Sequence, residues 1–416
     1  MGGALTLYSE SSPGLSLFQG YGVELEYMIV DARTLDVHHS ADLLISSLAG
    51  TEANEAELGE ISCSNELALH VFELKTTGPA PSLAPLPTAF GAAVAHANSV
   101  LRECGARLMP TAMHPWMDPD RETKLWPHEQ NDIYRAFDRI FGCSGHGWSN
   151  LQSTHINLPF AGDDEFGRLH AAIRVVLPLL PALAASSPVV AGKLASVWDA
   201  RLRYYQGNCA RIPSVSGSVI PEAVFSRRAY DEQILQVIQR DLAELDPEGV
   251  LESEWTNARG AIARFVRDAI EIRVLDVQEN PTQDLAIVEL VSGVLRLLVE
   301  ERLSDTEQQR RLAVTPLYHT LLATIREGEH ARIDDTKLLA CLGVTRPTLA
   351  REVWQQLAER ITWSSPAFGR AATHILERGT LSTRIRARLS AAPSRTELHD
   401  VYAELCECLA NSEAFA

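Results

Sequence analysis

No stretch of this chain is apolar for long enough to cross a bilayer. The longest apolar run, Val175 to Ala185, is short and carries Pro178 and Pro181, and Leu285 to Leu298 is broken by Glu289 and Arg296; a span needs about 20 residues. Basic charge is scarce, with 37 Lys and Arg against 54 Asp and Glu and a net charge of −17. That argues against a polyanion as the main partner, because nucleic-acid affinity comes largely from Lys and Arg neutralising phosphates. The seven cysteines are scattered and odd in number, which counts against a disulfide framework and suits free thiols in a reducing cytoplasm. Cys406 and Cys408 have no second pair with which to build a zinc site. The first residues, Met1-Gly-Gly-Ala-Leu5, show no basic region followed by an apolar run, so no secretory signal is expected. Also missing are the G-x-x-x-x-G-K-[ST] phosphate loop and the H-E-x-x-H metal motif, which removes the main signatures of P-loop ATPases and one large class of hydrolases.

What is present is a 416-residue chain, 46% hydrophobic and 22% charged, the composition of a globular enzyme with a large core. Its first fifth reads as β-rich. Tyr21 to Val30 alternates, Asp31 to Asp36 reads as a turn, and Val71 to Thr76 is a second strand. Small and apolar residues recur at helical spacing from Thr88 to Cys104, ending near Gly105, and Arg107 to Met113 reads as a strand. The loop Met113-His-Pro-Trp-Met-Asp-Pro119 that follows is expected to touch substrate or act as a lid. Trp116, Trp126, Trp148, His114 and His128 are secondary pocket candidates. Alternation returns over Leu151 to Leu158, and Asp163 to Leu183 is helical until its prolines. Gly207 to Pro221 reads as a mobile surface loop, and Thr282 to Leu303 as an apolar helix opened by a Thr and Asp cap. Beyond Ser304 the pattern is nearly all helical. The expected organisation is a mixed α+β catalytic body over 15–300 and a helical region over 301–416 packed on it.

Four segments carry charge inside otherwise apolar alternation. In Gly22-Val-Glu-Leu-Glu-Tyr27 the carboxylates Glu24 and Glu26 point the same way, roughly 7 Å apart, while Val23, Leu25 and Tyr27 point into the core. In Glu66 to Lys75, Glu73 and Lys75 share a face with Val71; Glu66 has the opposite parity and can join Glu73 only from a bend. His155 and Asn157 share a face within Thr154 to Leu158. Glu271 and Arg273 share a face with Leu275 within Ala269 to Asp276. Each segment alone is most simply a strand with one solvated face. Four together describe an antiparallel sheet whose polar face could hold a hard divalent cation and phosphates.

The ordered set Gly22-Val-Glu-Leu-Glu26, Glu73-Leu-Lys-Thr76, Ser153-Thr-His-Ile-Asn157, Ala185-Ser-Ser-Pro188 with Asp199-Ala-Arg201, and Ile270-Glu-Ile-Arg-Val-Leu-Asp276 resembles the glutamate–cysteine ligase superfamily, especially its smaller bacterial carboxylate–amine ligase branch. The resemblance implies a glutamine-synthetase-like fold with a curved antiparallel sheet as active-site floor, and ATP with Mg²⁺. It implies that Glu24, Glu26, Glu66, Glu73, His155 and Glu271 bind metal, that Lys75, Asn157 and Arg273 contact the nucleotide, and that Arg273 and Arg201 serve catalysis. The implied reaction forms an amide through an acyl phosphate, most simply from glutamate and cysteine or another small amine, as in glutathione biosynthesis. Where the smaller branch often has His-x-His, this chain has His155-Ile-Asn157, which leaves the amine open. Small molecules are the expected partners, with neither nucleic acid nor membrane and with room for a homo-oligomer. Two alternatives stand beside this reading: a metal-dependent amide hydrolase, and a DNA-binding protein acting through the helix-turn-helix-like segment Thr336 to Trp354.

Overall fold

The computed structural model describes residues 14–416; the amino-terminal stretch read for a secretory signal lies outside them. Strand β1 (Gly22–Asp31) is the centre of the architecture. Around it lie β2 (Glu55–Glu57), β3 (Ile61–Asn65), β4 (Val71–Thr76), β5 (Ala106–Met109) and β6 (Ser153–Pro159), a small hairpin of β7 (Val189–Val190) and β8 (Lys193–Leu194), then β9 (Ala261–Arg264) and β10 (Ala269–Asp276). All but the hairpin form one eight-stranded sheet of order β2-β3-β4-β1-β6-β10-β9, with β5 pairing the far end of β1. Every pairing is antiparallel, so the expected α+β class holds.

Sequence alternation explains the near half of β1. Val23, Leu25, Tyr27 and Ile29 enter one continuous core with Phe90, Val94 and Ala97 of the helix Leu86–Leu101, Phe166, Leu169 and Ile173 of Gly162–Val176, and much of Pro281–Val299. The last helix is buried almost all round, which its lack of a polar stripe requires. Its cap is Asn280, whose Oδ1 accepts from the backbone of Thr282 (2.9 Å) and Gln283 (3.2 Å), with Pro281 in the first turn; the cap read from the sequence lay two residues too late. The far half of β1 does not alternate. Met28 and Val30, on the same face as Glu24 and Glu26, are buried with Met109 under Leu398, Val401, Tyr402 and Leu405 of the helix Arg395–Asn411. The polar face of the sheet is thus open at one end of β1 and closed at the other by the end of the chain.

Several local readings change. Glu66 to Lys75 is not one strand: β3 ends at Asn65, and the chain turns before β4 begins at Val71. In β10 the register against β6 slips between Ile272 and Leu275. This bulge sets Arg273 and Val274 opposite His155, so that Leu275 lies opposite Thr154 on the core side and Asp276 opposite Ser153 on the polar side. The alternation across Arg273 therefore fails for Leu275. Gly207 to Pro221 is irregular but anchored, with Cys209, Ile212, Val215, Val219 and Ile220 in the core. The proline and tryptophan loop is likewise fixed: Met113, His114, Pro115 and Met117 are buried, and His114 Nε2 bonds the Leu35 carbonyl at 2.8 Å. A lid needs a segment free to lift, and neither is one.

The carboxy-terminal region contains a two-stranded ribbon, Arg332–Ile333 with Thr348–Leu349, between its helices. That ribbon separates Thr336–Cys341 from Ala350–Ala358, so the segment is no tight helix-turn-helix. Trp354 is buried and donates from Nε1 to the Leu179 carbonyl at 3.0 Å. Among the described residues no helix is long and apolar enough to cross a membrane.

Candidate active site

Strand register alone brings the polar face together. Glu24 lies between Lys75 and His155 on its two neighbours, and Glu26 lies opposite Glu73. Glu271 lies opposite Asn157, which also faces Gly22. A Cβ at Gly22 would meet Asn157 Cβ at 2.8 Å, so the glycine leaves room for Asn157 to reach along the sheet and donate to Glu24 Oε1 at 3.0 Å. Glu66, on the turn after β3, joins from the side, as a bend allows. Two sets of side chains each bring one ligand atom to within 4.8 Å of the others: Glu24, Glu73 and His155, and Glu26, Glu66 and Glu73. Five of the six expected metal ligands therefore meet, with Glu73 common to both sets.

The sixth, Glu271, is engaged by arginines. Arg264 Nε donates to its Oε2 at 2.9 Å, and Arg273 donates to Oε1 from Nε at 3.0 Å and from its terminal nitrogen at 2.6 Å. His155 Nδ1 is 3.8 Å from Glu271 Oε1 and 2.7 Å from Glu24 Oε2. Burial opposes the charged forms here, but the partners win. Glu24 is held below the usual carboxylate range by His155, Glu271 well below it by Arg264 and Arg273, and the His155 ring is pushed up by Glu24.

Toward β3 and β4 the balance reverses. Burial, followed by the charges of Glu73, Glu26 and Glu24, pushes Glu66 well above the usual range. Burial and Glu24 push Glu73 up to about 7. Glu73 has a hydrogen bond from Ser64 Oγ at 2.7 Å, and Lys75 Nζ stands 3.5 Å from Glu73, 3.6 Å from Glu55 and 3.0 Å from Ser64 Oγ. Glu26 is fixed by the Ser153 backbone (2.6 Å) and Oγ (2.9 Å), both donating to Oε2. Adjoining carboxylates with one lysine among them form a donor set that fits a hard divalent cation such as Mg²⁺.

Arg201 is 1% exposed. Its Nε donates to Asp276 Oδ1 at 2.6 Å and its terminal nitrogens to the Arg273 carbonyl at 3.3 and 3.4 Å. Asp276 in turn accepts from the Ser186 backbone and Ser187 Oγ, both at 2.8 Å. Arg201 thus braces the bulge from which Arg273 projects. The sequence had not singled out Arg264, Ser64 or Tyr134, whose hydroxyl accepts from Asn65 Nδ2 at 3.0 Å; Ser153 stood within a quoted motif but was given no role. Arg264 shares the polar face of β9 with Ile262, an alternation visible in Ala261–Arg264 once that segment is taken as a strand. Trp126 is buried and Trp148 stacks on Phe141; they anchor their loops.

The sequence model of glutamate–cysteine ligase family 2 matches residues 21–394. An uncharacterized protein of Archaeoglobus fulgidus is 33% identical over 394 residues, which are 95% of this chain and 99% of that protein. Among solved structures, a glutamate–cysteine ligase of Francisella tularensis in complex with AMP superposes with a TM-score of 0.58 at 12% identity, covering 96% of this chain and 90% of that one. A bifunctional glutathione synthetase of Pasteurella multocida gives 0.54 at 15% identity, covering 95% of this chain and 52% of that one. At these identities the two superpositions speak for the fold.

Proposed function

This chain belongs to glutamate–cysteine ligase family 2, and from that premise we propose that it is an ATP-dependent enzyme joining the γ-carboxylate of glutamate to the amine of cysteine or another small amino compound. Membership supports a carboxylate–amine ligase; the observation that carries the ATP-dependent step is the unbalanced acidic cluster of Glu26, Glu66 and Glu73 beside the arginine-rich flank of Glu271. Phosphoryl transfer requires a place where a polyanion and divalent cations can be held together, and little else from the protein.

The two ligand sets that share Glu73 fit Mg²⁺, with Glu24, Glu26 and Glu66 as the other carboxylate holders and His155 joining them in its neutral form, while Glu271 has both oxygens bonded to Arg264 and Arg273. Bound there, Mg²⁺ would supply positive charge to the phosphate oxygens and keep them oriented. Arg273, partly exposed and anchored on Glu271, presents its guanidinium to the phosphates. Lys75, paired with Glu73 and Glu55, and Asn157, bonded to Glu24, border the same space. The substrate carboxylate attacks the γ-phosphorus, ADP leaves, and an acyl phosphate forms. The neutral amine then adds to the acyl carbon, and phosphate is expelled as it takes up the proton the nitrogen loses, giving the amide. Positioning and charge complementarity drive both steps, so no nucleophilic side chain is needed.

The test is amine-dependent ADP release from ATP, Mg²⁺ and glutamate with cysteine and a panel of other amines, with the products identified by mass spectrometry. Glu24→Gln and Glu73→Gln should abolish most of the turnover while the protein stays folded. Undiminished turnover in both variants would contradict the assignment.

A further inference from the structure

We infer that Trp255 is the platform on which the base of the nucleotide stacks; the inference rests on the ATP-dependent reading above. Six of the seven tryptophans pack partly or wholly into the protein, whereas Trp255, on the short helix Ser253–Thr256, is 51% exposed. An indole ring with one face on a guanidinium and the other open is a surface on which a second planar group can stack. Beneath it the Arg264 guanidinium carbon lies 5.5 Å from the ring centroid. Arg264 cannot swing away, because Nε is bonded to Glu271 Oε2 at 2.9 Å and a terminal nitrogen to the Glu254 carbonyl at 2.8 Å. The indole is therefore braced from below by a cation tied to the site, with half of its surface open.

The charge layout gives the direction in which a nucleotide lies. Toward β3 and β2 the floor carries Glu66, Glu73 and Glu55 around one lysine. Toward β9 it carries Arg273 and then Arg264. A phosphate chain whose reacting end is held over the acidic cluster runs toward the arginines, and its base emerges where Trp255 stands. Among the described residues Tyr204, 41% exposed, is the other exposed aromatic ring; it lies against His146 at 5.0 Å and no cation sits on its face. A braced indole beside two arginines fits a planar base at the end of an anionic chain.

The experiment compares the intact protein with Trp255→Ala and Trp255→Phe in titration calorimetry. The probes are the non-hydrolysable ATP analogue AMP-PNP and inorganic tripolyphosphate, each with Mg²⁺. Trp255→Ala should weaken AMP-PNP roughly tenfold, within the range that loss of a stacking aromatic produces, and leave tripolyphosphate unaffected. Trp255→Phe should restore most of the affinity. In turnover, KM for ATP should rise while kcat stays within about twofold. Unchanged AMP-PNP affinity in Trp255→Ala, or an equal loss for tripolyphosphate, overturns the platform and leaves the ligase reading standing. If the unmutated protein binds no AMP-PNP, the ligase reading itself falls and takes the platform with it.

Discussion

On the β6–β10 side of the floor each carboxylate finds its cation within the protein: His155 serves Glu24, and Arg264 and Arg273 take both oxygens of Glu271. On the β3–β4 side, Glu66 and Glu73 crowd against Glu26, with Lys75 3.5 Å from Glu73 and shared with Glu55, and with the ring of His155, already engaged by Glu24, 3.8 Å from Glu26. The first side is neutralised before any ligand arrives and holds its shape. The second stores charge that burial makes unfavourable and that protonation relieves until a divalent cation replaces the proton. The site is thus preformed where arginine must meet phosphate and left unbalanced where metal must enter.

The sharpest way to break this contrast is Glu73→Gln. It removes the residue common to both ligand sets, and turnover should fall roughly 10²-fold or more, because the metal is worth several kcal/mol to the transition state. In chelator the same variant should be more stable than the unmutated protein, with a pH dependence set by Glu73 together with the Glu66 carboxyl that its charge pushes up. Its carboxyl titrates near 4.5 when unperturbed and about 7 in the fold, so the folded state binds the proton more tightly. The unmutated protein therefore carries no penalty from this group below 4.5, acquires it as pH rises toward 7, and keeps it above. The stability gap between variant and parent should open from pH 4.5 to 7 and then stay constant in EDTA melts, and Mg²⁺ should close it by raising the parent. A gap independent of pH would refute the stored-charge account.

On the balanced side the expected loss is structural. Arg264→Met leaves Glu271 buried with one arginine fewer, and breaking such a pair should destabilise the protein by about 3 kcal/mol in urea unfolding. Glu271→Gln in the same background should recover part of that loss, because the carboxylate left without its partner is the source of the penalty. Additive losses would show that the two groups do not depend on each other.

The alternation of Glu24 with Glu26, of Glu73 with Lys75, and of His155 with Asn157 was legible because a strand has period two and the intervening residues are apolar. Less was legible wherever placement depends on distant chain. Met28 and Val30 break the alternation of β1 because a helix from the far end of the chain covers them, and nothing near them announces it. The bulge at Arg273 and Val274 carries no glycine or proline to mark it, yet it moves Asp276 to the face where it braces Arg201. Arg264 meets Glu271 across the β9–β10 hairpin, a relation that no motif encodes. The loops 113–119 and 207–221 misled because turn-rich composition reports backbone irregularity and is silent on burial.

The finest distinction between the two sides comes from deleting one hydrogen bond from an uncharged donor on each. Ser64→Ala removes the hydroxyl that donates to Glu73 Oε1 at 2.7 Å, and Asn157→Ala removes the amide that donates to Glu24 Oε1 at 3.0 Å. Each bond is worth about 1.5–3 kcal/mol when its carboxylate is ionised. At Glu73 the bond favours the ionised form against burial and Glu24, so its loss should move the pH at which Mg²⁺ binds upward by about one unit. Glu24 keeps its bond to His155, so Asn157→Ala should leave that pH unchanged. Mg²⁺ isotherms collected between pH 6 and 9 on the two variants read the difference directly, and equal shifts in both would mean that the two sides titrate as one.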